Sequence, residues 1–112
     1  MYGTIMRGRV KAGKRDDFVA LFRDLVPSAG DYGQGLHSVE LAWEDADPQR
    51  VVVLVHFRDR ESYLANASRP ETDADFQRQR ELLDSDPEWI DVEYGDYVGN
   101  PLTATATAAA QS

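Results

Sequence analysis

The chain contains no cysteine, and this absence removes several kinds of site from consideration. Without a thiol there is no disulfide framework, no thiolate nucleophile and no zinc or iron–sulfur centre with cysteine ligands. Long apolar runs are also missing: none comes near the roughly 18 residues of a membrane-spanning helix. Nor does an apolar segment follow a basic start, as it would in a secretory signal. The sequence therefore predicts a cytoplasmic protein without a membrane span.

Basic residues are scarce relative to acidic ones. Twelve Lys and Arg against twenty Asp and Glu give a formal net charge of −8. A field of this sign repels phosphate backbones and anionic membranes, so we expect neither nucleic acid nor a membrane as a partner. The densest basic cluster, between Arg7 and Arg15, lies where a strand leads into a turn. Such a position is typical of solvated surface.

The remaining composition indicates one compact domain over residues 1–100 and a tail over residues 101–112. Hydrophobic residues make up 42% of the 112 positions, which is enough for a single core. The tail is a low-complexity segment rich in Thr and Ala, so we expect a disordered or loosely attached arm.

Strand and helix patterns follow one another in the order β-α-β-β-α-β. Strands are predicted over residues 2–10, 36–44, 50–57 and 88–98. This order is typical of the ferredoxin-like fold, an α+β arrangement in which an antiparallel four-stranded sheet carries its helices on one face.

The two helical regions have recognisable boundaries. An apolar stripe from Phe18 to Leu25 defines the first, which is predicted to end at Pro27 and to be followed by a loop containing Gly30, Gly33 and Gly35. The second begins at Asp59, which can cap it, and is interrupted around Ser68, with Ser68 or Thr72 as the predicted cap of its continuation.

The third strand is apolar on both faces from Val51 to Val55, whereas a strand with one side in water would alternate. If Trp43 pairs with Val51, the apolar side chains of the second and third strands collect on one face of the sheet. The same register pairs His37 with Phe57 and points His37 and His56 to opposite faces. One chain has helices for only one face of the sheet. We therefore expect a homodimer in which a second copy covers the other face.

Two segments resemble the antibiotic biosynthesis monooxygenase (ABM) family. One runs from Thr4 to Lys14, with Phe18 in the helix that follows; the other runs from Val53 to Ala67 and includes an Asp-x-Glu-Ser-Tyr helix start. The likeness extends over residues 2–98. It implies a dimeric α/β barrel, with a cleft between helices and sheet in each protomer. In characterised members this cleft admits a polycyclic aromatic substrate that O₂ oxidises without metal or flavin, so the resemblance implies no cofactor.

The chain also departs from the family pattern. Members often have an aromatic residue where this chain has His56, and a His on the next helix where it has Asn66. Haem-degrading relatives resemble one another in an Asn on the first strand and a His on the second helical region. This chain has neither, so haem chemistry is not expected.

His56 and Asn66 are the candidate catalytic residues. His56 would act as a base, since imidazole titrates near neutral pH, although a structural histidine of the core or interface is the alternative. Tyr63 lies three residues before Asn66 on the same helical face, so the two could orient a substrate carbonyl or hydroxyl and stabilise an enolate-like charge. The alternatives are ordinary helix–sheet packing for Tyr63 and a helix-end or turn residue for Asn66. A metal site at His37, His56 and Glu40 is not required by their spacing.

Large aromatic side chains are the other candidates for the site. We expect Trp43, Phe76 and Trp89 to line a flat substrate pocket together with Tyr63, although aromatics also fill cores and interfaces.

Three functions are compatible with these residues. The leading hypothesis is a cofactor-independent monooxygenase-like protein acting on a small phenolic or polyketide-type aromatic. The alternatives are a non-catalytic small-ligand-binding or accessory dimeric module, and an isomerase or cyclase that uses the same cleft.

Overall fold

The computed structural model describes residues 1–32, 35–95 and 98, and it confirms the predicted fold class. In these residues four strands form one antiparallel sheet in the order β2-β3-β1-β4, accompanied by three helices. The arrangement is ferredoxin-like, with β1 and β3 in the centre. The elements are Tyr2–Arg9 (β1), Arg15–Tyr32 (α1), Leu36–Trp43 (β2), Arg50–Phe57 (β3), Arg60–Ala67 (α2), Pro70–Glu81 (α3) and Glu88–Glu93 (β4).

The first helix is longer than the sequence predicted. It continues to Tyr32 rather than ending at Pro27, because proline removes one backbone hydrogen bond while the turns on either side keep theirs. The predicted glycine loop is correspondingly shorter, since Gly30 is helical. Gly33 lies outside the described residues. Gly35 has a φ of 95° and leads the chain into β2.

The second helical region is divided as predicted, but its two parts begin differently. Asp59 caps α2, with its carboxylate accepting a 2.8 Å hydrogen bond from the backbone N–H of Ser62. At α3 neither Ser68 nor Thr72 is the cap, because Pro70 opens the helix directly after Arg69. The Thr72 hydroxyl instead donates to the Asn66 carbonyl at 2.6 Å, and it thereby joins α3 to the end of α2.

The register of β2 and β3 follows the prediction over most of its length. Trp43 pairs with Val51, Leu41 with Val53 and Val39 with Val55. The predicted pairing of His37 with Phe57 is wrong. Phe57 pairs with Leu36 and His56 with Ser38, so His37 is the extra residue of a bulge. The fourth strand is also shorter than predicted and ends at Glu93 rather than Val98.

The core lies between the helices and one face of the sheet. Met6 from β1 and Val51 and Val53 from β3 are fully buried there, together with Phe18 from α1. Phe18 packs obliquely on Phe22, with 5.1 Å between ring centroids. Alternate strand residues therefore supply the inner surface, as the pleat of a sheet requires.

The opposite, outer face of the sheet carries a row of apolar residues. Ile5 stands between Leu54 and Ile90 across the three adjacent strands β3, β1 and β4. Ile5 and Leu54 are half-buried, and Ile90 is 58% exposed. We call these three residues the outer row. The expectation that β3 is apolar on both of its faces is confirmed.

The basic cluster of the first strand is engaged in ion pairs. The Arg7 Nε lies 2.9 Å from a carboxylate oxygen of Glu44, and the guanidinium of Arg9 contacts both Asp47 and Asp84. The pairs with Glu44 and Asp47 hold the pKa of those carboxyl groups below their usual values. The guanidinium groups are thus matched by carboxylates of the same chain.

Candidate functional site

A cavity of about 380 Å³ lies between the inner face of the sheet and the helices. This volume falls in the range of roughly 300–1,000 Å³ that is usual for small-molecule pockets. Its walls are mainly apolar. The strands contribute Met6, Leu36, Val39, Val53, Val55 and Phe57, and the helices contribute Phe22, Leu25, Val26, Ala67 and Phe76.

Polar groups enter this cavity from one strand and two helices. Of the described residues that line it, none is Lys, Arg or His, and the only carboxylates are those of Asp73 and Asp75. The cavity is therefore suited to a neutral aromatic ligand more than to an anionic one. The remaining polar side chains of the lining are Thr4, Tyr63, Asn66, Thr72 and Gln79.

Tyr63 lies at the wall of the cavity with its ring held between other aromatics. Its centroid is 5.4 Å from that of Tyr2 and 5.6 Å from that of Phe57. Its hydroxyl donates a 2.7 Å hydrogen bond to Oδ1 of Asp91 on β4. Burial, together with the Asp91 carboxylate, raises the pKa of Tyr63 to about 12. The phenol is thus protonated at neutral pH.

Asn66 reaches the same cavity from the last turn of α2. Its backbone carbonyl accepts hydrogen bonds from the Thr72 hydroxyl at 2.6 Å and from the Arg69 backbone N–H at 3.1 Å. These bonds hold the junction between α2 and α3. Tyr63 and Asn66 thus share one helical face toward the cavity, as their spacing predicted. The catalytic role of Asn66 stays a prediction.

Two of the three other predicted aromatics line the cavity and one does not. Phe76 and Trp89 form an edge-to-face pair with 5.6 Å between their centroids, and both are part of the lining. Trp43 lies outside it. Its indole packs on Phe18 at 6.3 Å, and the Arg15 guanidinium lies 4.3 Å above its ring centroid.

His56 lies on the outer face of the sheet, away from the cavity. Because Val55 and Phe57 face the cavity, the pleat of β3 turns His56 to the other side. Its ring stacks on Tyr94 at 3.8 Å, and the His37 ring is 6.4 Å away. The prediction that the two imidazoles point to opposite faces is wrong, because the bulge reverses His37. A catalytic role for His56 stays a prediction, and one chain does not bring it to the cavity.

Some polar residues of the site were not among the sequence candidates. Asp91 lies two residues after Trp89 on β4. Because side chains alternate along a strand, this spacing places both residues on the same, inner face, and it was the signal available in the sequence. Its bond to Tyr63 joins residues 28 positions apart, so no local pattern predicts it. The other polar residues of the lining that were not sequence candidates for the site are Thr4, Thr72, Asp73, Asp75 and Gln79.

Residues 1–32, 35–95 and 98 contain no group of three or more His, Asp or Glu side chains that could hold a metal ion. No helix among them is long and apolar enough to cross a membrane.

Sequence comparison adds family information to this geometry. The model of the family described as antibiotic biosynthesis monooxygenase matches residues 1–78, which include β1 to β3, α2 and most of α3. No curated protein matches the chain.

Solved structures share the fold over most of the chain. A conserved protein from Methanosarcina mazei Go1 is 18% identical with a TM-score of 0.70, and the match covers 84% of this chain and 92% of that protein. A protein described as an antibiotic biosynthesis monooxygenase is 16% identical, with a TM-score of 0.66 and coverage of 86% and 100%. A Mycobacterium tuberculosis protein is 18% identical, with a TM-score of 0.66 and coverage of 88% and 98%.

Proposed function

Because the chain belongs to the antibiotic biosynthesis monooxygenase family, we propose that it is a cofactor-independent monooxygenase-like enzyme acting on a small phenolic or polyketide-type aromatic. The observation that carries the proposal is the cavity of about 380 Å³ between helices and sheet. Its apolar walls fit a flat aromatic ring system, and its polar groups converge from α2, α3 and β1. A cavity of this kind is the usual location of a small-molecule site.

The chemistry requires few protein groups. In this reaction class the deprotonated substrate itself gives an electron to O₂. The protein therefore has to exclude water from the substrate, orient it and accept its proton. The edge-to-face pair of Phe76 and Trp89 supports an aromatic ligand from one side. The Asn66 amide, which lines the cavity, would hydrogen-bond a substrate oxygen. Among the described lining residues, the side-chain carboxyl groups that could accept a proton belong to Asp73 and Asp75.

A steric block of the cavity tests this function. Ala67 on α2 and Ala65, two residues earlier on the same helix, are both exposed, but only Ala67 lines the cavity. O₂ consumption should be measured with a panel of hydroxylated naphthalenes and anthracenes. We expect wild-type turnover to fall at least tenfold in Ala67→Trp, because the indole occupies ligand volume, and to persist in the matched control Ala65→Trp. Equal loss in both variants, or no O₂ consumption by the wild type, would contradict the proposal.

A non-catalytic binding module is the second candidate, and the position of His56 favours it. The predicted base faces away from the cavity, so the cavity has no imidazole among its described lining residues. In this case hydroxylated aromatics should quench Trp89 fluorescence on binding without consuming O₂. His56→Gln then leaves binding unchanged. If His56 instead acts as the base, this substitution should lower turnover by about 10²- to 10⁴-fold.

We also propose that two copies of the chain associate through the outer face of the sheet. The outer row, Ile5, Leu54 and Ile90, extends across three strands and remains partly exposed in one chain. Contiguous exposed apolar surface of this kind is typical of interaction sites. The family resemblance, which implies a dimeric barrel, supports the same partner. His37, His56 and Tyr94 would then lie at the interface.

A further inference from the structure

Two hydroxyl groups at the cavity wall have their protons directed away from it. The Tyr63 hydroxyl donates to the Asp91 carboxylate at 2.7 Å, and the Thr4 hydroxyl donates to the Ile90 backbone carbonyl at 3.1 Å. A hydroxyl has one proton and two lone pairs. While those two bonds are made, both side chains have only acceptor capacity left for a ligand.

The two hydroxyl groups meet at the same position of the sheet. Thr4 and Tyr63 both line the cavity, and Thr4 is 4% exposed. Thr4 on β1 is the cross-strand partner of Asp91 on β4, and the carboxylate of Asp91 accepts the Tyr63 proton. Each hydroxyl thus has a partner for its own proton, and a ligand that places an O–H group against the two oxygens can donate to their remaining lone pairs.

We infer that Thr4 and Tyr63 form an acceptor pair that recognises a hydroxyl group of the ligand, and that Asp91 is the positioning residue that directs the Tyr63 proton away from the ligand. The inference rests on the proposed function only in taking the cavity as the ligand site. It names the feature that the ligand must present at this wall, which is an O–H donor rather than a carbonyl or an ether.

This assignment differs from the expectation that Tyr63 stabilises a developing negative charge. A phenol can stabilise an oxyanion only by donating its proton to it. A carboxylate is a stronger hydrogen-bond acceptor than a neutral ligand oxygen, and the Tyr63 hydroxyl already donates to that of Asp91 at 2.7 Å.

The test compares two ligands that differ only in the donor. 1-Naphthol has a hydroxyl, whereas 1-methoxynaphthalene carries an ether oxygen on the same ring system. Dissociation constants should be measured by calorimetry under anaerobic conditions, so that turnover plays no part. We expect the wild type to bind 1-naphthol about tenfold more tightly, the effect of one well-formed hydrogen bond.

Four variants then locate the source of this preference. Tyr63→Phe removes one of the two acceptors, and Asp91→Ala frees the Tyr63 proton for donation, so both should lower the ratio of the two dissociation constants. Asp91→Asn keeps an oxygen that accepts from Tyr63 and should retain the preference. Glu93→Ala removes the same charge from an exposed position two residues further along β4 and should leave the ratio unchanged. Circular dichroism checks that each variant is folded.

The outcomes separate this inference from the proposed function. A wild-type ratio near one, or a full preference in Asp91→Ala, overturns the acceptor pair or the role of Asp91. Failure of both compounds to bind at millimolar concentration overturns the inference together with the cavity as the ligand site. A tenfold preference that depends on Asp91, without O₂ consumption, supports the inference and contradicts the monooxygenase.

Discussion

Replacing Gly3 by alanine should destabilise the fold, whereas the same change at Gly8 in the same strand should not. A β-carbon at Gly3 would lie 1.8 Å from the carbonyl oxygen of Val55 and 3.2 Å from a ring carbon of Tyr94. The first of these atoms belongs to the backbone of the neighbouring strand, so a side-chain rotation cannot relieve the clash. At Gly8 the nearest atoms are side-chain carbons of Leu83 and Pro87 at 3.4 Å, a van der Waals contact.

The size of the effect follows from two opposing contributions. Forcing extra volume into a packed site costs about 1–3 kcal/mol. Alanine in the interior of a strand recovers about 0.5–1 kcal/mol relative to glycine, because it restricts the unfolded chain. The expected net change is a loss of about 1–2 kcal/mol for Gly3→Ala and a small gain for Gly8→Ala. In a domain of this size a loss of that magnitude lowers Tm by roughly 5–10 °C.

Thermal unfolding followed by circular dichroism measures both variants against the wild type. The aromatic region of the NMR spectrum provides a second readout, because the displaced Tyr94 ring would change the ring current at His56, on which it stacks at 3.8 Å. A Tm for Gly3→Ala at or above that of Gly8→Ala would refute the reasoning, since it would mean that β1 does not approach Val55 as closely as described.

The remaining predictions concern assembly and titration. Sedimentation of the wild type at micromolar concentration should show a mass of about twice 12.5 kDa. Ile90→Glu should shift the protein to the monomer, because a charge would be buried at the interface. A dimer that is unchanged in this variant would exclude the outer row as the contact. The folded-state pKa of Tyr63, about 12, lies above the unfolded value of about 10. Its contribution to stability is therefore complete below about pH 10 and is lost as the pH rises to about 12. Unfolding free energies should fall more steeply across this window in the wild type than in Tyr63→Phe, and equal slopes would contradict the raised pKa.

The sheet was largely predictable because its pairing is strongly constrained by the apolar pattern. A shift of one residue between Trp43 and Val51 would scatter the apolar side chains over both faces, so only the observed register buries them together. The bulge at His37 has no comparable signal in the sequence. A single unpaired residue at the start of a strand leaves the pattern beyond it intact, and so the two imidazoles came to the same side unpredicted.

The site was predictable where local geometry decides it. Helical spacing placed Tyr63 and Asn66 on one face, and strand alternation placed Trp89 and Asp91 together. What the sequence could not predict is which side chains of different elements meet. The bond between Tyr63 and Asp91 depends on how α2 lies over the edge strand, and the separation of His56 from the cavity depends on which face of β3 the helices cover.

The alternation of β3 also has a consequence for how this protein changes over evolution. Val53 and Val55 face the cavity, whereas Leu54 and His56 face outward. Neighbouring codons therefore encode two surfaces that do not touch each other. A substitution at Val53 or Val55 thus changes the lining of the cavity, whereas a substitution at Leu54 or His56 changes the outer surface, so single mutations in one strand can alter either surface.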